Sequence, residues 1–149
     1  PVVKTTTFSG VATEYNIFKV TGIVRVIDIV GHVTTEIPNT ASLVHLSLYS
    51  TGGEVDLTKA VGSPDLDSLP VGSFLVRKAD SSEVLVAESS ATPAIVEFGR
   101  DPYIAVDLVA DADQDTYIRA NLTAALASGA IHWHCLYMPI SDQAFVEPA

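Results

Sequence analysis

His132 and His134 come nearest, by residue type and spacing, to a group that could do chemistry. Two imidazoles two residues apart on an extended strand leave the same face, and neutral imidazole nitrogens bind zinc and its neighbours well. A third ligand would have to come from His32, His45 or an acidic side chain. The competing reading is two histidines packed among neighbours or turned toward a partner. It is preferred, because so short a motif arises readily by chance. No metal and no other cofactor is therefore assigned.

Asp111, Asp113 and Asp115 alternate like the opening of a calcium loop. Such a loop needs Gly at its sixth position and Glu at its twelfth, where this chain has Thr116 and Leu122. An acidic turn between strands is the expectation. Cys135 follows His134 directly, but neighbouring side chains on a strand face opposite ways, so the two cannot form a nucleophile–base pair there. No serine sits in a Gly-x-Ser-x-Gly elbow, and Val71-Gly-Ser-Phe74 reads as an ordinary strand start. No Gly-rich phosphate loop precedes a helix, and the carboxylates gather in turns. Asn121-Leu-Thr123 matches a glycosylation acceptor, but nothing at the start of the chain reads as a secretion signal. No catalytic residue is assigned, and the chain is expected not to be an enzyme.

The elements that must position these residues are strands. Gly129–Val146 reads as a long closing strand, a stop at Pro139 and a short extended tail. Ile131, Trp133, Cys135 and Tyr137 share one face; His132, His134, Leu136 and Met138 share the other. Upstream, Val2–Phe8 is Thr-rich and extended. Glu14–Val20 alternates Asn16, Phe18 and Val20 against Tyr15, Ile17 and Lys19. Gly22–Val33 is almost continuously β-branched, as in a central strand covered on both sides. Ser42–Tyr49 is a further strand, Thr51-Gly-Gly-Glu54 a turn, and Gly62–Pro70 a loop. Ser73–Lys78 and Glu83–Glu88 flank a hairpin turn, and Ala94–Phe98 and Tyr103–Ala110 follow. Tyr117–Ala127 fits both periods; the alternation of Ile118, Ala120, Leu122, Ala124 and Leu126, with a hairpin through Ala127-Ser128-Gly129, favours strand over helix. The sum is an all-β chain of about 8–10 strands with little helix, a β-sandwich or jelly roll.

One domain is expected for 149 residues, spanning 1–149 with extended segments at both ends. With 18 acidic against eight basic residues the net charge is −10, and no basic stripe exists to neutralise phosphates, so direct nucleic-acid binding is not expected. The apolar runs are too short to span a bilayer, so no membrane is expected either. Pro1-Val-Val-Lys4 resembles neither a signal nor a transit peptide, and Pro1 reads as the residue left by removal of an initiator Met. A single cysteine excludes an internal disulfide and suits a reducing compartment.

What stands out instead are apolar or Thr-rich ends: Val2, Val3, Thr5, Thr7 and Phe8 at the start, Phe145 and Val146 at the finish. Such ends can add a strand to a neighbour's sheet, or simply complete this chain's own. They are the expected partner-interface residues.

Gly22–Thr34, Leu69-Pro-Val-Gly-Ser-Phe74 and Gly129–Asp142 together resemble small virion structural proteins of tailed bacteriophages, most closely the capsid cement (decoration) proteins with a jelly-roll core. The likeness is one of layout over about half of the chain. It implies a protein made in the host cytoplasm that docks on the outer capsid surface and bridges major capsid protein subunits, itself a homodimer or homotrimer. Two alternatives remain: a phage tail or fibre module binding a neighbouring virion protein or a host glycan, and a cupin-like metal-binding protein. Cupins resemble this chain in His-x-His on a jelly-roll strand, but place a Glu shortly after the pair, where Met138 and Pro139 stand here.

Overall fold

Gly22, at a φ of 69°, lets consecutive strands enter different sheets. A Cβ there would lie 2.8 Å from Ser141 Oγ and 3.1 Å from Ala144 Cα, so only glycine fits this corner. The strand before it, β2 (Glu14–Thr21), belongs to one sheet and the strand after it, β3 (Ile23–Thr35), to the other. The structure, a computed structural model, describes residues 1–77, 85–88 and 105–149, excepting the side chains of 86–88.

The remaining strands are β1 (Val2–Thr7), β4 (Val44–Ser50), β5 (Gly53–Asp56), β6 (Phe74–Arg77), β7 (Leu85–Glu88), β8 (Val106–Val109), β9 (Thr116–Leu122), β10 (Ala130–Pro139) and β11 (Phe145–Pro148). The first sheet runs β1-β10-β3-β6-β7; β8 also lies on β3, pairing with Ile23–Val26 while β6 pairs with Val30–His32. The second sheet runs β11-β2-β9-β4-β5. Every ladder is antiparallel, and no helix occurs among the described residues. The chain is an all-β sandwich, as its alternating patterns predict. Its core joins Trp133, Ile131, Cys135, Ile29 and Leu75 of the first sheet to Phe18, Ile17, Leu46 and Ile118 of the second. Burying each large apolar side chain contributes roughly 1.5–3 kcal/mol.

Four expectations need correction. The run in β3 is β-branched because its phase shifts, and not because both faces are covered: Val24 and Val26 point inward, a bulge follows, and Ile29 and Val33 point inward beyond it. The outer side of β3 leaves Arg25 and Ile27 exposed. In β2 a bulge near Ile17 buries Ile17 and Phe18 together, so they do not alternate. Tyr117–Ala127 is strand only as far as Leu122. The link to β10 is an arch between sheets and no hairpin, since β9 pairs with β2 and β4 while β10 pairs with β1 and β3. Leu126 is nevertheless fully buried, lodged in the core from the arch. Strands β6 and β7 pair as expected; the turn between them and Ala94–Phe98 lie outside the described residues.

Candidate partner-docking face

Period-2 alternation sends Val3, Thr5 and Thr7 of β1 and His132, His134, Leu136 and Met138 of β10 to the outside of the first sheet. The β1–β10 register places Val3 opposite His134 and Thr5 opposite His132. On the other flank of β10, His132 faces His32 and His134 faces Val30. The His32 ring stacks on that of its next neighbour, Phe74, with centroids 5.0 Å apart and planes 19° from parallel. His132 and His134 also stack, at 5.0 Å and 16°. Around these imidazoles lie apolar side chains with no cover in the described structure: Val3 is 36% exposed, Ile27 39%, Leu136 42% and Met138 46%. Arg25 and Asp107 form a two-pronged ion pair on this face, at 2.7 and 2.9 Å.

Partial burial disfavours a charged imidazole at His134, and the neighbouring His132 and His32 add to this, so its pKa falls below the usual histidine value. Among the described residues no set of three His, Cys, Asp or Glu side chains converges as a metal site would require. His45 lies on the second sheet, 3.6 Å from Asp56.

The outer side of the second sheet is built differently. Arg119 donates to Glu14 at 3.0 Å and to Asn16 at 2.9 Å, and its guanidinium lies 3.3 Å over the Tyr49 ring. Asn121 donates to Ser47 at 2.8 Å and to Glu54 at 3.1 Å, while Ser47 donates to the same Glu54 carboxylate at 2.5 Å. Lys19 pairs with Asp115 at 2.7 Å. These polar groups satisfy one another and need no partner.

The expected interface residues divide. Val3, Thr5 and Thr7 lie on the apolar face of the first sheet, Val2 is half-buried, and Phe145 is 40% exposed on β11. Phe8 and Val146, each 4% exposed, are core residues; Phe8 packs edge-on against Tyr15 with centroids 5.3 Å apart. Both chain ends complete this chain's own sheets, β1 against β10 and β11 against β2, and Lys4 Nζ donates to the Ala149 oxygen across the gap between them. Asp111 holds its turn together by accepting from the Asp113 amide at 3.0 Å and Ser50 Oγ at 3.0 Å. Cys135 is fully buried, and burial pushes its thiol up to about 12. The sequence singled out neither Ile27 nor His32 as face residues. Leu136 and Met138, apolar at outward positions of a readable alternation, were the available signal.

No family model matches the chain, and neither the curated proteins nor the solved structures contain a match to it. Among the described residues no helix is long and apolar enough to cross a membrane.

Proposed function

We propose that this chain is a non-enzymatic virion structural protein, a capsid cement protein that binds the outer surface of a phage head and bridges major capsid protein subunits. The observation that carries the reading is the unequal finish of the two outer faces. Among the described residues the second sheet closes its polar groups into a network and exposes Phe145, whereas the first exposes Val3, Ile27, Leu136 and Met138. Exposed apolar side chains gathered on one sheet face of a small domain support a protein contact there. Bridging needs at least two adhesive surfaces per unit, and this face supplies one.

Strand pairing supports the jelly-roll form of the sandwich. Pairing of β1 with β10, β2 with β9, β3 with β6 and β4 with β5 is that of one long two-stranded ribbon. Its segments alternate between the sheets in the manner of nested Greek keys. Such shells gain stability by mass action, because a protein that binds only the expanded lattice shifts the equilibrium toward it.

The test is co-sedimentation of purified protein with mature heads stripped of it, beside unexpanded heads and isolated tails. Saturable binding to expanded heads is expected. Absence of the chain from purified virions, or binding confined to tails, would refute the reading.

A further inference from the structure

We propose that two copies of this chain join through the outer edge of β1, pairing antiparallel about Thr5 so that their first sheets run on as one. The proposal rests on reading the outer face of that sheet as adhesive, and it names the partner that brings a second such face alongside.

The backbone of β1 alternates in direction. Phe8 donates its amide to the Gly129 carbonyl at 3.0 Å, one rung beyond the pairing of Thr7 with Ala130. In an antiparallel ladder the N–H and C=O of one residue point to the same side, and those of the next residue to the other. Val2, Lys4, Thr6 and Phe8 therefore bond to β10, while Val3, Thr5 and Thr7 turn their N–H and C=O groups away from it. Among the described residues no strand pairs with that outward side.

Sheet edges are ordinarily closed to other chains by charge, proline, brevity or a bulge. β5 has four residues, with Glu54 and Asp56 among them, and β11 has four, with Glu147 and Pro148. β1 has six residues, no proline within it and no break in its register. Its one charged side chain, Lys4, is half-buried and donates to the Ala149 oxygen.

This edge is its own complement. A two-fold axis at Thr5 sets Thr5 against Thr5 of the second copy and Val3 against the second copy's Thr7, so every outward donor meets an acceptor. Lys4 then lies opposite Thr6 and not opposite another Lys4. The outward side chains that meet are all β-branched, which suits paired strands. The order β10-β1 of one copy continues into β1-β10 of the other, bringing Val3, Leu136 and Met138 of both copies to one side. One docked copy then holds its mate at the lattice.

Sedimentation velocity on the full chain reads the dimer, with circular dichroism and thermal unfolding to verify the fold of each variant. The wild type is expected to be a dimer, and Thr5→Pro a monomer with the wild-type spectrum. Proline at this position removes an outward N–H and no bond to β10, a change that edge strands tolerate. Oxidation of single-cysteine variants reads the register, Cys135 being buried. T5C should yield a disulfide-linked dimer, because directly opposed Cα atoms lie about 5.5 Å apart. T7C should not, because its two copies are offset by about 13 Å along the strands. A wild-type monomer or trimer, a T5P chain that folds and dimerises like the wild type, or T7C cross-linking as fast as T5C overturns the proposal. Head binding by a monomeric wild type would leave the cement reading standing while this proposal fell. A Thr5-centred dimer that ignores heads would do the opposite.

Discussion

His32 stands directly opposite His132 across the β3–β10 ladder, although neither residue's local sequence points to the other. That register turns a two-histidine motif into a three-histidine patch, among outward positions that also expose Val3, Leu136 and Met138. The rings lie in stacks, His132 on His134 and His32 on Phe74.

His134 should titrate below the ordinary histidine value of about 6.5 when followed by its ring-proton shifts. Its folded pKa is lowered, so between that value and the unfolded value near 6.5 the unfolded chain binds more protons. Stability contributed by the neutral ring is thus complete above pH 6.5 and declines as the pH falls through that window. Denaturant midpoints measured from pH 7.5 to 5.0 should drop for the wild type, and less for H134Q. A midpoint that rises on acidification over this range would contradict the assignment.

Gly31→Ala should destabilise the sandwich from within. Gly31 faces the core opposite Trp133, and a Cβ would sit 2.8 Å from Trp133 Cζ3 and 3.0 Å from Ile131 Cγ2. The indole is 1% exposed and cannot swing away. Overpacking of this kind costs about 1–3 kcal/mol. Urea unfolding followed by Trp133 fluorescence reads the loss directly, and an unchanged midpoint would show that the contact is softer than its geometry.

The wrong and the right in the sequence reading share a cause: local pattern reports period, while partner and phase are set across the sandwich. Alternation found β10 and its two faces correctly, and it found β9 as far as Leu122. It continued falsely through Ala124 and Leu126, because an arch that buries Leu126 mimics the next inward position of a strand. The short Gly129 link looked like a hairpin because arch and hairpin have the same length, and only the pairing tells them apart. Bulges in β2 and β3 are equally silent, so Ile17 was set on the face opposite Phe18 and β3 was taken to be covered on both sides. The candidate docking face was half legible: its β1 and β10 residues were named, as two unrelated groups, and the register joined them.

Arg119→Ala should cost about 2 kcal/mol, since it removes charge-assisted bonds to Glu14 and Asn16 from a side chain only 11% exposed. Arg119→Lys should recover only part of this. A single ammonium cannot reach both partners while covering the Tyr49 ring. Thermal unfolding of the pair checks the order, and full rescue by Lys would leave the fork geometry without consequence.

Cys135 should stay silent to a thiol reagent at pH 8 in the folded protein and react with one equivalent once the chain is unfolded in guanidinium. Full burial excludes the reagent and holds the thiol protonated, with its pKa near 12. Rapid labelling of the folded chain would mean that the β1–β10–β3 region opens readily.

The most direct measurement compares Leu136→Glu with Val61→Glu for co-sedimentation with stripped, expanded heads. Both place one carboxylate on an exposed apolar residue, Leu136 in the apolar face at 42% exposure and Val61 in a loop away from it at 78%. Loss of head binding by L136E, with V61E binding as the wild type does, is the predicted result. Undiminished binding by L136E would contradict the claim that this protein works by adhesion through the outer face of its first sheet.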